Sequence, residues 1–158
     1  MKKNNTIFLK FMILLIGSIA LLLCIFWLPW FAKSTADLNP DYAHLRFPVL
    51  TGIYITTIPF YFALHQAFKL LSHIEKRNAF SELAVTSLIY IKYCAIFIAM
   101  LYAISLLVLS LSNIGNPTIA IIESIIIFTS LTIALFSAVL QELLTAALEI
   151  KAENDLTV

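Results

Sequence analysis

From Phe11 to Ala32 the chain carries no charged residue, and Lys2 and Lys3 precede this run with Lys10 at its edge. An uninterrupted apolar segment of that length is long enough to cross the hydrocarbon of a bilayer, about 30 Å thick, as a helix. It exceeds the apolar core of a secretory signal peptide, and Trp30 spoils a small-residue cleavage site, so the segment reads as a retained anchor. Backbone groups in lipid must bond to one another, which a helix achieves within the segment itself.

The other segments repeat this character. Of 158 residues, 61% are hydrophobic and 12% charged, with a net charge of +1. Soluble globular domains sit near 45–50% apolar and about 25% charged. The scattered basic residues form no stripe of the kind that binds nucleic acid. Around Pro59 to Ile98 one apolar segment passes through a polar turn holding Lys76 and Arg77 into the next apolar segment, a transmembrane hairpin bent on its basic side.

The reading is an all-α integral membrane bundle of four transmembrane helices, at about 7–32, 47–71, 88–111 and 118–140, with a cytoplasmic helical tail over 141–158. Trp27, Trp30 and Phe31 close the first span as interfacial aromatics do. Lys33 to Arg46 is expected to form a polar loop around Asn39-Pro40-Asp41, and Pro48 opens the second span. Pro59 predicts a kink that Thr56 or Thr57 helps repair. Ser81 is an N-cap for the third helix, and Pro117 starts the fourth behind Asn116.

Orientation follows from the Lys/Arg distribution. Lys2, Lys3, Lys10, Lys69, Lys76, Arg77, Lys92 and Lys151 fall on one side of such a four-span arrangement, and Lys33 and Arg46 on the other. The positive-inside rule then places both termini in the cytoplasm. Cys24 and Cys94 fall at opposite ends of the bilayer, which excludes a disulfide between them.

Ionisable groups inside spans are the candidate functional residues. Lys10 and Lys92 lie where their side chains reach back to the cytoplasmic surface. Glu123, about a turn into the fourth span, suits the helix N-terminus and an outward-pointing interfacial position, or else a contact for a proton, cation or small ligand. His65 and Gln66 lie deeper; Tyr61, His65 and Lys69 share a face that suits an interhelical hydrogen bond or a proton relay. No Ser-His-Asp set, glycine-rich phosphate loop, carboxylate pair or metal-ligand spacing occurs, so the chain is expected to be no enzyme and to need no cofactor or metal.

Beyond Leu140 the helical pattern continues, with Leu140, Leu144, Ala147 and Leu148 on one face and Glu142, Thr145, Glu149 and Glu153 on the other. An anionic inner leaflet repels that acidic face, so it calls for a protein surface: the chain's own Lys76 and Arg77, or a separate basic partner. The last residues, from Asn154, are expected to form a disordered tip.

The phrases IPFYFALHQAFKLLSHIEKRNAFSELAV, IKYC and ALEIKAENDLTV resemble a family of small four-span bacterial membrane proteins known as domain of unknown function 2975, over nearly the whole chain. The resemblance implies a bacterial plasma-membrane location and, commonly, a neighbouring gene for a small helix-turn-helix regulator. It carries no catalytic residue. The functional expectation is therefore an interaction protein that binds a cytoplasmic partner such as that regulator, with homo-oligomers compatible. A small transporter, channel or immunity-type protein, built on Pro59, His65, Gln66 and Glu123, is the alternative.

Overall fold

The computed structural model describes residues 3–38, 46–75, 81–111 and 117–156, all of them helical except Ser81. Helix α1 spans Lys3–Leu22 and runs through one π-helical turn, Leu23–Trp27, into α2, Leu28–Leu38. Helices α3 (Arg46–Glu75), α4 (Glu82–Leu111) and α5 (Pro117–Leu156) follow. Among the described residues three helical stretches are long and apolar enough to cross a membrane: Asn5–Ser34, Glu82–Leu111 and Ile119–Leu156. Between them, α3 carries Thr56, Thr57, Pro59, His65, Gln66 and Lys69, and is the least uniformly apolar of the long helices.

Each helix packs on its neighbour in the chain. The α4–α5 contact is the most extensive, α3 packs on α4, and α1 and α2 rest on α3 alone among the described residues. The expected bundle is therefore an open row. The buried residues of α4 are Ala84, Ser87, Leu88, Ile91, Ala95 and Ala99, and α5 buries Ser130, Ala134 and Ser137. These positions recur every three or four residues, so they share one face of each helix. In lipid there is no hydrophobic gain from pairing helices, and small residues let backbones approach closely enough for dispersion to hold them. The bulky residues accordingly point outward, Phe128 being 75% exposed and Leu111 83%, as a lipid-facing surface requires.

Lys33–Leu38, expected in a loop, continue the first helix. Polarity does not end a helix; the next breaker is Pro40, which disfavours helical geometry at Asn39. Asn39-Pro40-Asp41 itself lies outside the described residues. At the other terminus α5 is continuous to Leu156, so Asn154 to Leu156 are helical and not a disordered tip. Its 40 residues span about 60 Å, roughly twice the hydrocarbon thickness. Ser81 does cap α4, accepting from the Ala84 amide at its carbonyl (3.0 Å) and at Oγ (3.4 Å). Asn116, the expected cap of α5, lies outside the described residues.

The π turn has a local cause. Pro29 has no N–H, and in a regular helix its ring would press on the carbonyl of Ile25. Widening the turn lets the Leu28 amide bond back to the Leu23 carbonyl. The Cys24 carbonyl would then face Pro29, which cannot donate; the Tyr54 hydroxyl of α3 donates to it instead, at 3.0 Å. At Pro59 the expected repair takes another form. Thr56 and Thr57 both donate to the Ile53 carbonyl, at 2.7 and 2.9 Å, not to the Ile55 carbonyl that Pro59 leaves without its amide.

Candidate functional site

Polar groups gather in one layer toward the ends of the helices that meet at the α4–α5 turn. On α5, Glu123 is one and a half turns from Pro117 and only 7% exposed. Its neighbours Ile119, Ile121, Ile122 and Ile125 are exposed and apolar, so the carboxyl lies inside the hydrocarbon-facing part of the helix and turns inward. Ser105 of α4 donates to Glu123 Oε1 at 2.7 Å. One turn earlier on α4, the Tyr102 hydroxyl meets Thr56 Oγ1 of α3 at 3.4 Å. The layer is completed on the other face of α3, where Thr57 Oγ1 lies 3.8 Å from Cys24 Sγ beside the π turn.

Glu123 thus faces the α4–α5 interface, where a rim position at the membrane surface was expected. Its Oε2 is buried and has no hydrogen-bond partner among the described residues. Sequence reading could not supply Ser105, which is one of many serines, although Ser105 and Glu123 stand equidistant from Ile114 and so face each other in any symmetric antiparallel hairpin.

The other predicted polar residues are dispersed. His65 is exposed and lines an open groove of about 610 Å³ between α1 and α3, with Gly17, Ser18, Tyr61 and Phe68. Gln66 is buried, and Lys69 is exposed. The Tyr61 hydroxyl donates to the Gly17 carbonyl at 2.7 Å, which engages it with α1.

At the opposite end of the helices, two lysines make interhelical contacts. Lys10 pairs with Glu75 and sits 5.4 Å from the Phe68 ring, joining α1 to α3. Lys92 donates to Gln141 Oε1 at 2.8 Å and lies 5.2 Å from the Tyr93 ring. Beyond that contact Glu142, Glu149 and Glu153 are exposed on α5, whereas Lys76 and Arg77 lie outside the described residues. Among the described residues no group of three or more His, Cys, Asp or Glu is placed to hold a metal, and Cys24 and Cys94 are free.

An all-helical chain with an apolar exterior and its buried polar groups set between helices is an integral membrane protein. The chain belongs to the family described as protein of unknown function (DUF2975), whose model matches residues 30–158. That match covers α3, α4, α5 and nearly all of α2, and leaves out α1 and the π turn. The chain is similar to the uncharacterized membrane protein YoaS of Bacillus subtilis (strain 168), with 51% identity over 160 residues that cover 100% of each chain. No solved structure matches.

Proposed function

We propose that the protein is a four-span bacterial plasma-membrane protein, both termini cytoplasmic, that binds a soluble cytoplasmic protein through the end of α5. The fourth span is α3: its 30 residues reach about 45 Å, and it lies between two apolar helices. The observation that carries the binding reading is the unbroken run of α5 past the Lys92–Gln141 contact, ending in residues that are all exposed from Glu149 to Leu156. This stretch presents Glu142, Glu149 and Glu153 together with exposed Leu143 and Ile150, and Leu156 at 87% exposure.

Acidic groups keep such a helix off an anionic leaflet, and exposed large apolar residues beside them favour a protein partner of basic, partly apolar surface. A small helix-turn-helix regulator has that chemistry. Reversal of Glu142, Glu149 and Glu153 to Lys is the test. Each rim pair is worth only about 0–1 kcal/mol, so the triple change is needed. Copurification of a cytoplasmic partner should be lost while insertion persists, and His65→Ala and Glu123→Gln should leave it intact. Retained partner binding after the triple reversal would overturn the reading.

Transport is the second reading, and buried Glu123 is the observation that favours it. Flux of a cation across proteoliposomes, abolished by Glu123→Gln in normally inserted protein, would put transport in place of docking.

A further inference from the structure

We propose that Glu123, with Ser105, forms a binding site for one small monovalent cation, a proton or a sodium ion, at Oε2. This goes beyond the docking reading and does not depend on it: Glu123 and Glu142 are separated along α5 by roughly 28 Å.

A carboxyl group has two oxygens and about four acceptor positions when ionised, and one donor when protonated. Ser105 serves Oε1 at 2.7 Å, and among the described residues nothing serves the buried Oε2. An unneutralised carboxylate buried among apolar residues of a membrane helix pair is unfavourable, and one hydroxyl does not offset that. The missing partner is a positive charge small enough for the α4–α5 seam. Among the described residues no lysine or arginine supplies it, since the ion pair they form is Lys10–Glu75, on α1 and α3.

The groups facing Glu123 from α4 are neutral. Tyr102 is turned to Thr56 on α3, and Lys92 is near the far end of α4 and held by Gln141. On α5 itself the next ionisable residue is Glu142. A proton on Oε2 or a sodium ion bridging Oε2 and the Ser105 hydroxyl performs the same neutralisation. The position, one and a half turns from the start of α5, is close enough to the membrane surface for either to exchange with water.

The test uses the purified full-length protein in detergent and dicyclohexylcarbodiimide, an apolar reagent that modifies protonated carboxyls, with the modified residue located by mass spectrometry. Glu123 should be modified, with exposed Glu142 and Glu149 unmodified as internal controls. If the cation is a proton, modification falls as pH rises, and sodium chloride has no more effect than potassium chloride. If it is sodium, sodium chloride at fixed pH protects Glu123 and potassium chloride does so severalfold less. Under either outcome Ser105→Ala should change the extent of Glu123 modification at fixed pH and sodium severalfold. The proposal is overturned if folded wild-type protein leaves Glu123 unmodified at every pH. It is equally overturned if Glu123 reacts to the same extent as Glu142, or responds to neither pH nor sodium.

Discussion

Lys92 on α4 donates a hydrogen bond to Gln141 on α5 at 2.8 Å, and with Ser105–Glu123 at 2.7 Å it pins one antiparallel helix pair at two levels. Between these polar clamps lie Ala95, Ala99, Ser130, Ala134 and Ser137, small side chains that fix the separation of the helices but contribute little direction. The clamps therefore set the register of α4 against α5. Interhelical hydrogen bonds in membrane proteins average only about 0.6 kcal/mol. Gln141→Leu and Lys92→Met should each lower stability by about 1 kcal/mol, with a coupling energy near that average in a double-mutant cycle read by denaturant unfolding in micelles. Strict additivity would show that the contact does not act as a pair.

The small-residue seam makes a steric prediction. Ala95→Leu or Ala134→Leu inserts bulk at a buried small residue, and overpacking of this kind costs about 1–3 kcal/mol. Leu107→Ala and Phe128→Ala remove side chains that face lipid, being 63% and 75% exposed, and should change the unfolding midpoint much less. A larger effect from the lipid-facing pair would contradict the described packing of α4 on α5.

The π turn makes a prediction about two distant residues. Tyr54→Phe removes the donor from the Cys24 carbonyl and leaves it unpaired in an apolar setting, at a cost of about 1–3 kcal/mol. Pro29→Ala removes the cause of the π turn, and in a regular helix the Leu28 amide bonds to that carbonyl. In the Pro29→Ala background the same Tyr54→Phe change should therefore cost little, and the non-additivity measures the link.

Lys10 ties α1 to α3 through Glu75 and the Phe68 ring. Since α3 is the main helix that α1 packs on among the described residues, Lys10→Met should loosen α1 selectively. Amide hydrogen exchange should rise in α1 and remain unchanged in α4 and α5. The stability change itself should be small, about 0–1 kcal/mol, as for other partly exposed ion pairs.

The sequence alone determined the solvent, the secondary structure and most helix boundaries, because an uncharged run such as Phe11–Ala32 has few ways to satisfy its backbone and Ser81 and Pro117 mark helix starts locally. It placed the first helix end too early, since Lys33–Leu38 are polar yet contain no helix breaker. It did not anticipate Pro29, whose consequence depends on Tyr54, a partner on another helix.

Tertiary structure decided which way each side chain faces. Apolar residues surround every membrane helix, so periodicity does not separate the packed face from the lipid face. That is why Glu123 read as an interfacial residue when it turns toward Ser105. Nor does the sequence name the partners of Lys10 and Lys92, which are Glu75 and Gln141. Tertiary structure decided, too, that the helices form an open row and not a closed bundle. In lipid, small residues and single hydrogen bonds select neighbours, and hydrophobicity does not.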